Sequence, residues 1–174
     1  MKTYMVISCV GDDRPGLVEL LAKLIRQHDG NWLESRMANL SGKFAGIIRI
    51  SLPASNAQAF SAALAELGAF GTRIAVEITE EPAPHPEHSV FRLDVIGHDR
   101  SGIVEEISSE LARRHINVME FDSELTNAPM SGEPLFMAEA IIQVPSNLDL
   151  DDLCEKLDQI ADSLMLEYTL EERD

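Results

Sequence analysis

A nine-residue pattern that occurs twice constrains this chain more than any other feature. Gly11-Asp12-Asp13-Arg14-Pro15-Gly16-Leu17-Val18-Glu19 is followed, 86 residues later, by Gly97-His98-Asp99-Arg100-Ser101-Gly102-Ile103-Val104-Glu105. Each copy follows an apolar run rich in β-branched residues and opens a helical pattern, so each predicts a strand-to-helix turn. The same turn at one register means a repeated architecture. Glycine at such a turn serves close packing, or it leaves the first helical N–H groups bare. Those groups, at the positive end of the aligned peptide dipoles, suit a small anion such as a carboxylate. The residues alone leave both readings open.

Taken in order, Thr3 to Val10 reads as a buried strand. Leu17, Val18, Leu21, Leu24 and Ile25 form one helical stripe ending near Gln27-His28. Pro15 is expected as the first helical residue, and Asp13 as a cap or as the acceptor of a ligand's ammonium group. Asp29-Gly30-Asn31 stops the helix. Two strands, Trp32 to Leu40 and Phe44 to Leu52, join through Ser41-Gly42-Lys43 as a hairpin. Ser55-Asn56-Ala57-Gln58 resembles a capping box ahead of a stripe of Phe60, Ala63, Leu64 and Leu67. Ile74, Val76 and Ile78 then alternate as a strand, which completes the order βαββαβ.

The second half repeats the first. Ile103, Val104, Ile107 and Leu111 match Leu17, Val18, Leu21 and Ile25 at an offset of 86, as do Asn117 with Asn31 and Glu120 with Glu34. The offset then becomes 92: Phe136 matches Phe44, Pro145 matches Pro53, and Leu166, Tyr168 and Leu170 match Ile74, Val76 and Ile78. The extra residues fall in a hairpin loop at 126–134, where insertions are tolerated. A second helix is expected from about Leu148 to Ser163, with Leu150, Leu153, Cys154, Leu157 and Ile160 inward. Residues 81–88, with three prolines in eight, read as a stiff linker between domains at 1–80 and 89–174. His85 and His88 have no second ligand pair at a recognisable spacing, so no metal is expected there.

The fold class is therefore α+β: two tandem ferredoxin-like βαββαβ units, each an antiparallel sheet with both helices on one face. The other face is left to solvent, the sister unit or another chain, as in a homodimer.

Charge narrows the function. The chain carries 14 Lys/Arg against 30 Asp/Glu, a net charge of −16. Residues 1–80 hold eight of each, so the whole excess lies in the second half. Lys/Arg clusters able to neutralise phosphates are lacking, so no direct nucleic-acid binding is expected. The acidic half serves solubility or faces a basic protein partner. No run of about 18 apolar residues calls for a membrane. The N-terminus leads straight into a strand-like run without a cleavage site, and Cys9 and Cys154 read as buried reduced thiols, so a cytoplasmic protein is expected. Catalysis needs a nucleophile–base pair or a metal cluster. Ser101 and His98, three residues apart in one loop, rarely meet productively, so neither an enzyme nor a cofactor is expected.

Asp13-Arg14-Pro15-Gly16-Leu17-Val18 within its βαββαβ frame resembles the ACT domain family of small-molecule regulatory modules. Asp99-Arg100-Ser101-Gly102-Ile103-Val104 looks like the same motif with serine for proline. Two such domains, over roughly residues 3–80 and 89–172, look like the glycine cleavage system transcriptional repressor group. The resemblance implies an amino acid bound at an interface between domains. The loop before the first helix would supply amides and a polar side chain, and an asparagine opening the second strand would reach across. Carried over, this points to Asp13, Gly16, Leu17 and Asn31, and to Asp99, Gly102, Ile103 and Asn117. Many amino-acid-binding members have asparagine where this chain has Asp13 and Asp99. An aspartate suits the ligand's ammonium and leaves its carboxylate to the helix amides. The resemblance implies a non-enzymatic regulator that senses a small amino acid such as glycine and acts on a transcription regulator by protein–protein contact. The alternative is a detached amino-acid-binding regulatory subunit of a metabolic enzyme.

Overall fold

Strand β1 (Lys2–Asp12) is the spine of the first unit, because its alternate residues Met5, Ile7 and Cys9 are at most 1% exposed. The structure is a computed structural model that describes residues 1–68, 71–80, 88–129 and 132–173. The chain forms two compact units, Met1–Ala83 and Pro84–Asp174. The proline-rich stretch, His88 apart, lies outside the described residues, and so does any pairing of His85 with His88.

In unit 1, β1 is followed by α1 (Leu17–Gln27), β2 (Asn31–Leu40), β3 (Lys43–Pro53), a 3-10 turn (Ala54–Asn56), α2 (Ala57–Gly68) and β4 (Arg73–Thr79). The sheet runs β2-β3-β1-β4, antiparallel throughout. Both helices cover one face, where Leu21 and Ile25 of α1 and Phe60 and Leu64 of α2 close over Met5, Ile7, Ile48 and Ile50. Ser41 and Gly42 both take positive φ (52° and 77°) and set Leu40 opposite Lys43. A two-residue turn of that hand matches the strand twist.

Unit 2 repeats the order as β5 (His88–His98), α3 (Ile103–Arg113), β6 (Asn117–Asn127), β7 (Pro134–Pro145), α4 (Leu150–Leu164) and β8 (Leu166–Arg173), with sheet order β6-β7-β5-β8. Its core joins Phe91, Leu93 and Val95 to Ile107, Leu111, Ile142, Leu153 and Leu157. Even the irregularity repeats: the ladder slips between Trp32 and Glu34 in β2 and between Val118 and Glu120 in β6.

Four local expectations are corrected. Pro15 lies in a turn before α1, which starts at Leu17, because the left-handed Gly16 separates them. The capping box does not form: the Ser55 hydroxyl turns to Asn56, and the Asn56 amide bonds the His28 carbonyl at 2.9 Å. Cys9 is buried and burial pushes its thiol pKa up, whereas Cys154 is only half-buried. Tyr168 stands level with Val95, and Val95 corresponds to Cys9, which faces Ile74. Tyr168 therefore matches Ile74, not Val76. A slip of two residues keeps every side chain on its face, so alternation alone could not detect it.

The Tyr168 hydroxyl donates to Asp158 Oδ1 (2.8 Å) and contacts the Cys154 carbonyl (3.2 Å), tying β8 to α4. Burial, then the Asp158 carboxylate, raise its pKa well above the usual tyrosine value. The folded state therefore holds the proton more tightly than the unfolded chain. That contribution is complete below about pH 10, the ordinary tyrosine pKa, and is lost as pH rises beyond it. Tyr168→Phe is expected to cost about 1 kcal/mol at neutral pH. It should also flatten the alkaline fall of wild-type stability, read by urea titration at pH 8 and pH 11.

Candidate functional site: the paired helix-start turns

Gly16 has φ 94° and ψ −5°, and Gly102 has φ 100° and ψ −13°. These values place glycine third in Arg14-Pro15-Gly16-Leu17 and in Arg100-Ser101-Gly102-Ile103, as a type II turn requires. Crowding is not the reason for these glycines, since a β-carbon on either would meet no atom within 4 Å. Close packing belongs instead to the first glycine of each motif. A β-carbon on Gly97 would come within 2.5 Å of Leu166 Cδ2, and one on Gly11 within 3.0 Å of Thr72 Oγ1. The two glycines of the pattern thus do different jobs.

Neither α1 nor α3 has a side-chain cap, whereas α4 is capped by Asp149, which accepts from the Asp151 N–H at 3.0 Å. The capping role expected of Asp13 is therefore absent. Asp13 Oδ2 instead accepts from Asn39 Nδ2 (2.5 Å), and the Asp13 N–H donates to the Gly42 carbonyl (3.0 Å). Beside it, Lys43 pairs with Asp12, and that hydrogen bond and charge hold the Asp12 carboxyl below the usual carboxylate range. A cleft of about 340 Å³ opens here, lined by Asp12, Arg14, Pro15, Leu17, Leu20, Leu67 and Thr72. It offers an apolar wall, a cation and a carboxylate within one loop.

The second turn is built differently. The Asp99 N–H donates to the Pro134 carbonyl (3.1 Å), as the Asp13 N–H does across its own hairpin. The ladder puts Leu125, opposite Phe136, where Asn39 stands opposite Phe44. Asp99 thus lacks the amide that engages Asp13. Arg100 Nη2 reaches the Met165 sulfur (3.5 Å), and Ile103 is core, 2% exposed.

Asn31 and Asn117 are not brought to these turns within their own units. Asn31 pairs with Ser51, which faces Tyr4, whereas the turn follows Asp12 at the other end of β1. Asn117 pairs with Gln143, level with Val90, and its turn follows His98. Asn39, Arg14 and Thr72 were not singled out from the sequence. Counting back from the two-residue hairpin, which puts Leu40 opposite Lys43 and hence beside Asp12, would have found Asn39. No group of three or more His, Cys, Asp or Glu among the described residues could hold a metal ion. No helix among them is long and apolar enough to cross a membrane.

Residues 3–78 match the family model of the ACT domain. Over its whole length the chain is similar to the crystal structure of an unknown protein from Galdieria sulphuraria (29% identity, TM-score 0.89, 100% of both chains covered). It is also similar to a provisionally assigned glycine cleavage system transcriptional repressor (22% identity, TM-score 0.69, 100% of this chain and 99% of that one covered). No curated protein matches the chain. The first unit is an ACT domain. The second unit repeats the strand order of the first, so the tandem architecture is ACT-like.

Proposed function

We propose that this protein is a non-enzymatic amino-acid sensor that passes occupancy to a protein partner, a transcription regulator, by direct contact. One observation carries the reading: two helices begin at a left-handed glycine with open space before it and no side chain on their first amides. Helix starts of this kind favour a carboxylate. In this reading the amides of Leu17 and Val18, or Ile103 and Val104, take the carboxylate, and Asp13 or Asp99 takes the ammonium group. Asn31 and Asn117 take part only through a loop outside their own unit. Coupling follows when the ligand binds one conformation or assembly better than another. The chain works in the cytoplasm and touches no operator itself.

A thermal-shift screen against the twenty amino acids tests this. A ligand at a hundred times its dissociation constant stabilises by about 2.7 kcal/mol, a clear rise in melting temperature. Gly16→Val and Gly102→Val, made separately, should each cost about 1–2 kcal/mol through the left-handed backbone. The added side chain enters the open space before the amides, so affinity at the occupied turn should fall more than tenfold. Full affinity in both variants would remove the turns from the site. Recovery of a metabolic enzyme and no transcription regulator in a pull-down would replace the partner.

A further inference from the structure

The two units fill the space beneath their first helix differently. In unit 1, Trp32 and Met37 of β2 pack against the core, and Ile48 beneath them is fully buried. The ladders place Val118, Ser123 and Ala140 at the corresponding positions of unit 2. Three large side chains are exchanged for three small ones. The opposite exchange, Ser35 for Phe121, puts a ring at the rim, where it stands 44% exposed.

What remains is a hollow of about 210 Å³ between α3 and the sheet, floored by Leu93, Ile107 and Ala140 and rimmed by Val104, Val118 and Phe121. Its surface is wholly apolar, and Ser108, the one hydroxyl in its wall, is turned to the Glu105 carbonyl at 3.2 Å. Protein interiors are close-packed, with few voids larger than a water molecule. An apolar void of about 150 Å³ stays dry and takes up benzene, and this one is larger.

We propose that the hollow is a binding site for a small, uncharged, apolar ring compound of about indole size. The internal repeat supplies the template, because an indole and a thioether pack at the same place in unit 1. Charge is excluded, since no polar group there would compensate its desolvation. The hollow meets Ile103 and Val104 at the start of α3, but it is inferred from its own apolar lining and not from the amino-acid reading.

The test is a titration of the full chain with indole, using indole-3-carboxylate as the charged control, read by methyl NMR and by thermal shift. Indole should move the methyl resonances of Ile107 and Val118 and raise the melting temperature, while the carboxylate should leave those two resonances unmoved. Ala140→Ile, which restores the unit 1 residue in the floor, should melt no lower than wild type and bind indole at least tenfold more weakly. Unmoved methyl resonances in the wild-type chain at saturating indole would overturn the proposal. So would a filled variant that responds as wild type does.

Discussion

Phe60→Ala is expected to remove about 3–5 kcal/mol from the stability of unit 1. Phe60 is fully buried on α2 and packs into the cluster of Met5, Ile7, Leu21, Ile48 and Ile50, with the His28 ring edge-on at 5.5 Å. Truncation loses the transfer free energy of the ring and leaves a cavity that the sheet cannot collapse to fill. Domains are stable by about 5–15 kcal/mol in all, so the loss is a large part of the whole. Trp32 is the chain's single tryptophan and packs against this same core, so its fluorescence reports unfolding of unit 1 in particular. The urea midpoint should fall sharply for Phe60→Ala and far less for Phe60→Leu. An unchanged midpoint would mean that α2 does not pack on the sheet through this face.

Arg114→Met is expected to cost about 3 kcal/mol in unit 2. Glu110 on α3 is 8% exposed and ion-paired to Arg114, which also reaches Asp152 Oδ2 on α4 at 2.7 Å, while Arg113 adds a weaker contact at 3.3 Å. Removing the arginine strands a nearly buried carboxylate, and it is this stranded charge that is costly. The double substitution Glu110→Leu with Arg114→Met should therefore recover most of the loss, because well-packed apolar groups replace such pairs at little cost. Urea unfolding followed by circular dichroism reads both variants. If the double variant proved as unstable as the single, the penalty would come from lost packing of the arginine stem instead.

That ion pair also marks where sequence reading stops. Glu110 occupies the place that Leu24 holds in the first copy, so the repeat itself pointed to an apolar residue there. Arg114 stands four residues on, at a legible helical spacing, but its second partner, Asp152, is 38 residues away and meets it only across two packed helices. The duplicated fold, by contrast, was legible from local signals. Period-2 and period-3.6 patterns give the elements, and a glycine at matched positions gives the turns. Phase was lost at Tyr168, where alternation is blind to a shift of two. At the candidate site, the sequence pointed to the loop but not to Asn39. That amide reaches Asp13 through a hairpin whose register depends on both Ser41 and Gly42 adopting positive φ.

The unlike surroundings of Asp13 and Asp99 have a consequence for dose response. Under the proposed amino-acid reading, a ligand's amine would compete in one copy with the Asn39 amide for the Asp13 carboxylate, and in the other would meet Asp99, where Leu125 stands in place of Asn39. Receptors that are twins saturate together over about two decades of concentration. Two that differ in readiness fill in sequence, so under that reading a single polypeptide would register scarcity with one half and abundance with the other.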